Sequence, residues 1–405
     1  QFKGKTTATT EGTDTYGGRS KAGNTTTENE LTVDSGSHTN IYGGWTSGAG
    51  STADAAKQKN SINNKVTVKG AATATGDVIG GLTDVAGGKA TGNTVTVEKD
   101  LAANIIGGKA ASGDASDNTV NLANATVNSI TGGAGTTTNN NTVNLNGSAE
   151  VTGALKGGSQ ASGTDNTLNV KGKNNKAGSI ENIQKMNFDA TGLAKDDTML
   201  EDTNAAGTNV NWANLKASGT AAKPLTLLKN ENGINLSADY TGAPKSETTD
   251  TTETNIDVRK SGTRITEITY EGYQFKDVRQ ATTVTDAGVK NTFGGRSKAG
   301  NTTQDNTLTL DDASKSYTNV YGGWTSGTGT KAAADKQNNS LNNTVNYMAG
   351  TLTGTLYGGH AAAGEASGNT VNLGAIQTAA NIYGGFGSVT KNNTINLKGA
   401  RVTGT

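Results

Sequence analysis

Short runs in which apolar and polar residues alternate recur along the whole chain. Examples are Asn93-Thr-Val-Thr-Val97, Asn118-Thr-Val-Asn-Leu122, Asn141-Thr-Val-Asn-Leu145, Asn166-Thr-Leu-Asn-Val170, Asn369-Thr-Val-Asn-Leu373 and Asn393-Thr-Ile-Asn-Leu397. A period of two marks a half-buried strand. Val143 and Leu145 are expected to face inward, with Thr142 and Asn144 facing outward. The leading Asn tolerates a left-handed turn and can bond nearby backbone. A second family of short strands runs into a Gly-Gly pair, as in Asn-Ile-Tyr before Gly43 and Gly384 and Asn-Ile-Ile before Gly107. The Gly pairs are expected at the other corner, where a side chain would not fit.

The spacing of the Gly pairs turns this pattern into a fold. They begin at Gly17, Gly43, Gly80, Gly107, Gly132 and Gly157, then at Gly294, Gly322, Gly358 and Gly384. The intervals are 26, 37, 27, 25 and 25 residues, then 28, 36 and 26. Two or three short strands per unit, corners of Gly and Asn and no helical period predict an all-β chain. The expected architecture is a right-handed parallel β-helix, or solenoid, with rungs of about 25–28 residues stacked about 4.8 Å apart. One rung cannot bury its own Val and Leu, whereas a stack buries a continuous narrow core. Length divided by rung size predicts about 15 rungs and a rod of roughly 70 Å.

A longer repeat lies above the rungs. Gly17 matches Gly294, Gly43 matches Gly322, Gly80 matches Gly358 and Gly107 matches Gly384, at offsets of 277, 279, 278 and 277 residues. The enlarged rung repeats as well: TSGAGSTADAAKQKNSINNKVTV at 46–68 stands against TSGTGTKAAADKQNNSLNNTVNY at 325–347. Gln1-Phe2-Lys3 returns as Gln274-Phe275-Lys276. The chain therefore holds about one and a half modules and is expected to be a stretch of a longer array, with neither end capped. The expected divisions are a first solenoid block at 1–179, a β junction at 180–273 and a second block at 274–405. The junction loses the Gly pairs, holds Pro224 and Pro244, and carries a charged, Thr-rich stretch at 244–255 that reads as an exposed loop.

Composition fits a thin core. Of 405 residues 57 are Gly, 32% are apolar and 4% aromatic, while 35 basic side chains balance 35 acidic ones. Disordered chains of such low hydrophobicity usually carry a high net charge, which is absent here. The neutral balance argues against nucleic acid as a partner. No apolar run is long enough for a membrane helix, and the chain opens without a signal peptide. With no Cys, disulfides and thiol chemistry are excluded.

The Asn-Ile-Tyr-Gly-Gly and Asn-Asn-Thr-Val-Asn-Leu rungs resemble the passenger region of large Gram-negative autotransporter adhesins. Ile183-Gln-Lys-Met-Asn-Phe188, Gly192 and Asp196-Asp-Thr-Met-Leu200 are similar to the segment with which such passengers often close a solenoid block. The resemblance covers most of the chain and is specific for architecture more than for activity. It implies a rod on the bacterial outer cell surface, exported unfolded and held by a membrane β-barrel outside this chain.

Candidate chemistry lies on the rungs. Ile41, Val78, Ile105, Ile130, Leu155, Val320, Leu356 and Ile382 form a column expected to face inward. By alternation the next residues face out. Tyr16 and Tyr42, then Phe293, Tyr321, Tyr357 and Tyr383, are thus expected as an exposed aromatic ladder. It serves either to bind a protein or glycan or simply to stabilise stacking. Trp45 and Trp324 follow the Gly pairs, beside the enlarged loops at 46–64 and 325–343, which are candidate contact features or tolerated insertions. His38 and His360 are expected at the surface, in unrelated settings. Asp196-Asp197 and Asp311-Asp312 would point to opposite faces of an extended backbone. No calcium-binding repeat and no phosphate loop occur, so no cofactor, metal or catalytic residue is assigned.

The expectation is a non-enzymatic surface adhesin or structural stalk. Its expected partners are a cell-surface protein or glycan on a host or neighbouring cell, with side-by-side or end-to-end self-association also open. The alternatives are a carbohydrate-active β-helix enzyme, which needs clustered carboxylates, and a self-associating extracellular filament. An ice-binding array would need Thr-x-Thr on every rung, where this chain has mostly Thr-Asn.

Overall fold

In a computed structural model, the alternating runs stack in register as parallel strands. The structure describes residues 2–3, 9–50, 58–219, 221, 224–242, 245–248, 252–274, 282–286, 289–297, 300–326, 338–374 and 378–404. Val66, Val95, Val120, Val143 and Leu168 pair in one column, and Val68, Val97, Leu122, Leu145 and Val170 in the next. All of these are buried. Thr142 and Asn144 lie on the other face. Among the described residues there is no helix. The chain is an all-β parallel solenoid that divides into two compact units, 1–244 with 256–270, and 245–255 with 271–405.

The first unit stacks nine turns. Their Gly-pair faces are the parallel strands Asp14–Ser20, Ile41–Thr46, Asp77–Thr83, Leu101–Ala110, Thr126–Ala134, Glu150–Gly158, Asn175–Glu181, Thr198–Asp202 and Leu225–Lys229. The second unit stacks four, on Val289–Ser297, Asn319–Thr325, Thr355–Ala361 and Asn381–Phe386. Thirteen turns replace the expected 15 because part of the chain forms antiparallel strands. Thr9–Glu11 runs antiparallel to Asp14–Ser20, and Thr282–Asp286 runs antiparallel to Val289–Ser297. Each unit thus carries at its first turn an antiparallel strand that covers the edge expected to lie open. In the first unit, Leu225–Lys229 pairs antiparallel with Arg264–Gln274, Leu225 opposite Tyr270 and Leu228 opposite Ile268.

The parallel stack runs on past residue 180, because Met186 and Phe188 continue the two inward columns of the Asn-Thr-Val strands. Residues 274, 282–286 and 289–297 open the second unit's stretch of chain. The charged stretch expected as a loop at 244–255 contains the strand Lys245–Thr248 and the start of Thr252–Ser261. Its remaining residues lie outside those described. The enlarged rung at 46–64 returns to the stack through Ser61–Ile62, paired with Thr26–Thr27. The centres of both enlarged loops lie outside the described residues.

Two corrections concern the turns. The Gly pairs sit inside strands and not at corners, as in Asp77-Val-Ile-Gly-Gly-Leu-Thr83. A Cβ on Gly80 would lie 2.4 Å from the carbonyl oxygen of Gly107 on the next turn, and a Cβ on Gly81 would lie 2.5 Å from Oδ1 of Asn93. The pair therefore admits the neighbouring backbone on one side and an Asn side chain on the other. The left-handed position is not the leading Asn but the residue before it. Glu28, Asn63, Asp117, Asn140, Asp165, Asp305, Asn342 and Asn392 all have φ between 53° and 59°.

That left-handed step turns the following Asn inward. Asn93, Asn118, Asn141 and Asn166 are fully buried and hydrogen-bonded in series from side chain to side chain at 3.1–3.2 Å. The second unit repeats this from Asn306 through Asn343 and Asn369 to Asn393, at 2.7–3.0 Å. A buried amide is tolerated only where its groups are satisfied, and here the next turn supplies the partner.

Candidate functional site

The Gly pair decides what the outer face of its strand presents. In regular alternation, residues three apart point to opposite faces. Across Ile41-Tyr-Gly-Gly-Trp-Thr46, however, Ile41 and Thr46 are buried while both Tyr42 and Trp45 are half-exposed. The step at the glycines resets the alternation, so the residues before and after the pair share the outer face. Two columns therefore run side by side along the stack, each a register column of the parallel sheet.

In the second unit the first column is Phe293, Tyr321, Tyr357 and Tyr383, and the other is Arg296, Trp324, His360 and Phe386. Ring centres in the first column are 5.1, 4.8 and 5.3 Å apart, with interplanar angles of 11°, 2° and 11°. In the second, Trp324 stacks on His360 at 6.3 Å and His360 on Phe386 at 5.0 Å. The columns meet edge to face, His360 against Tyr357 at 5.4 Å and Phe386 against Tyr383 at 5.6 Å. The Arg296 guanidinium lies 4.6 Å from the ring centre of Phe293 and 5.2 Å from that of Trp324.

The first unit starts the same way and then departs. Tyr16 stacks on Tyr42 at 5.1 Å and 10°, and Trp45 lies 5.8 Å from Tyr16. The Arg19 guanidinium sits 4.4 Å from both the Tyr16 and Trp45 ring centres. Trp45 also donates from Nε1 to Asp84 Oδ2 at 2.7 Å. Beyond these residues the columns continue as Ile79 and Leu82, then Ile106 and Lys109, then Thr131 and Ala134. The Lys156–Glu181 ion pair, 2.7 Å long, ends the first column.

This seam is not the exposed ladder expected from alternation. Phe293 is 2% exposed and Tyr16 5%, and the outward-facing Ile79 is 1% exposed. None of the three belongs to the cores inside the coil. The two columns bury one another, forming an apolar seam outside the solenoid. Ring faces are taken up by neighbouring rings, so mainly edges and phenol hydroxyls reach the surface. Burial, followed by the charge of Asp14, pushes the Tyr42 phenol up to about 12. Burial, followed by Tyr357, does the same to Tyr321.

All eight aromatic residues singled out in the sequence fall in the seam: Tyr16, Tyr42 and Trp45 in one unit, and Phe293, Tyr321, Trp324, Tyr357 and Tyr383 in the other. Sequence reasoning missed Arg19, Arg296, His360 and Phe386. Their signal was available, since each stands directly after a Gly pair as Trp45 and Trp324 do. His360 is accordingly not a surface residue in an unrelated setting. It is half-buried in register with Trp324, and burial lowers its imidazole below the ordinary His range. His38 lies elsewhere, with Nδ1 2.8 Å from Thr15 Oγ1 and Nε2 3.1 Å from the Ser35 carbonyl. Asp196 and Asp312 belong to turns and not to extended backbone. Asp196 is left-handed, and Asp312 accepts the Ser314 amide at 2.9 Å.

Among the described residues, no three His, Asp or Glu side chains converge to hold a metal ion. No protein-family model, curated protein or solved structure matches the chain. The level at which the chain is identified is its architecture: an all-β parallel solenoid bearing aromatic clusters on its outer face.

Proposed function

We propose that the chain is a non-enzymatic, surface-displayed scaffold, a structural or adhesive element of the kind seen in autotransporter passengers. The observation that carries this reading is the recurrence of the Arg-capped aromatic seam at the same place in both units. Such a solenoid gains stiffness from stacking each turn on the next, and a seam repeated with the module gives several equivalent contact points along one molecule. The edges and hydroxyls of Tyr, Trp and Arg are favoured contact groups because they offer large area at low entropic cost. A cell-surface protein or glycan engaged by edge and hydroxyl contacts is the partner this surface suits. Display outside the cell belongs to the same proposal.

The test is adhesion. Beads coated with the 405-residue chain should bind cells or immobilised glycans above bare beads. Joint replacement of Trp45 and Trp324 by Ala should remove the difference, while Lys216→Ala on another face should not. Equal binding by coated and bare beads, or full binding by the double variant, overturns the reading.

A further inference from the structure

Consecutive turns place tyrosines over tyrosines as parallel stacked rings, and that arrangement has a covalent chemistry of its own. Tyr321 and Tyr357 lie 4.8 Å apart at an interplanar angle of 2°, and Tyr357 and Tyr383 lie 5.3 Å apart at 11°. In the first unit Tyr16 and Tyr42 are 5.1 Å apart at 10°. In each pair the two residues are register partners on neighbouring parallel strands, so like edges of the two rings lie over one another. Phe293 heads the longer column but has no hydroxyl from which to form a phenoxyl radical.

We propose that these tyrosines are a site of oxidative cross-linking, in which a one-electron oxidant joins stacked rings as dityrosine and staples one turn of the solenoid to the next. Each phenol loses one electron and one proton to give a phenoxyl radical, whose unpaired spin extends to the carbons ortho to oxygen. Two radicals held one above the other join through these ortho carbons. The two ring hydrogens then move to oxygen and aromaticity returns. The net change is loss of two hydrogen atoms from the protein, and the co-reactant, a peroxide acting through a haem peroxidase, is reduced to two waters. Stacking supplies the step that is improbable for free side chains, because the second radical need not be found by diffusion. Tyr357 faces a partner on each side but can form only one such bond at a time through a given ortho carbon. The Tyr317–Tyr347 pair provides a contrast within the same unit: its rings are perpendicular, at 89° and 6.5 Å, and both side chains are buried.

The experiment treats the full chain with a haem peroxidase and limiting hydrogen peroxide, then isolates monomer. Dityrosine fluorescence should appear, and intact mass should fall by two hydrogens per link. Digestion should return Tyr321 joined to Tyr357 or Tyr357 joined to Tyr383, together with Tyr16 joined to Tyr42. Tyr357→Phe should lose both links of the second unit, because Tyr321 and Tyr383 are then two turns apart. It should keep the Tyr16–Tyr42 link, which shows in the same molecule that oxidation proceeded on folded protein. The proposal is overturned if cross-links form only between chains. It is equally overturned if Tyr317–Tyr347 links as readily as the stacked pairs, or if the urea-unfolded chain gives the same set of links.

Discussion

Asn93 donates both its backbone N–H, at 3.0 Å, and its side-chain N–H, at 3.1 Å, to Oδ1 of Asn118, 25 residues further on. Asn118 in turn donates to Asn141 Oδ1 and to the Ala90 carbonyl. One buried carbonyl thus closes two hydrogen bonds between turns, and the pattern repeats along each unit. Register between turns is thereby fixed by a polar series as well as by the Val and Leu columns.

Asn118→Ala should leave buried donors on Asn93 and a buried acceptor on Ala90 without partners. A loss of about 3 kcal/mol is expected from such orphaned groups, read as a fall in the urea midpoint of the first unit. Asn144→Ala removes an amide from the outward series, where Asn144 bonds Asn121 and Asn169 at 2.7 Å. Water replaces those bonds, so its cost should stay at about 1 kcal/mol or less. Equal losses for the two variants would contradict the assignment of the buried series.

Gly80→Ala places a Cβ 2.4 Å from a backbone oxygen that belongs to the next turn and cannot move alone. The stack must separate locally, and a loss of about 3 kcal/mol or more is expected. At Gly87, φ is +70° and nothing lies within 4 Å of a new Cβ. Gly87→Ala should therefore cost only the left-handed backbone term, about 1 kcal/mol. Thermal or urea unfolding of the two variants separates close approach from backbone conformation.

His360 lies between Trp324 and Phe386, and burial lowers its folded pKa. The folded chain then binds fewer protons than the unfolded chain, whose His titrates near about 6.5. Stability attributable to this group is full above that value and falls as pH drops through it. His360→Phe, which keeps a flat ring in the stack, should make unfolding of the second unit less sensitive to pH between 7.5 and 5. Trp324 fluorescence can follow the transition. An unchanged pH slope would show that the imidazole does not titrate on unfolding.

Asp202 is 1% exposed and accepts hydrogen bonds from Thr208 Oγ1 at 2.5 Å and from the Asn204 amide at 2.9 Å. Burial raises its carboxyl above the ordinary value, and these hydrogen bonds oppose the rise only in part. A raised folded pKa means the folded state holds the proton more tightly. Its contribution favours folding at low pH and is lost as pH rises from the unfolded pKa through the folded one. Asp202→Asn keeps an acceptor for Thr208 without the buried charge. It should match or exceed the parent in stability at pH 7 and remove this part of the acid-range dependence.

Much of this molecule is legible in its sequence, for a physical reason. In a parallel stack each residue's neighbours are the residues one period away, so spacing alone pairs Tyr42 with Ile79 and Tyr357 with Tyr383. Strand alternation gives Val143 and Leu145 their inward faces, and the aliphatic column from Ile41 to Ile382 its place in the core. These are consequences of period and polarity, which the sequence states directly.

What period cannot express is where the alternation slips. The Gly-Gly step puts residues three apart on one face, and so brings Tyr357 against His360 and Tyr16 beside Arg19. The left-handed residue before each leading Asn turns a polar side chain inward, where the next turn satisfies it. The antiparallel strands Thr9–Glu11 and Thr282–Asp286 pair at the first turn of their units without any repeat to announce them. Each of these depends on backbone direction and on a partner a full turn away, so it is settled only when the turns are stacked. Alternation and spacing determined the solenoid and its core, and the tertiary stack decided that the outward aromatics close on one another as a second, external seam.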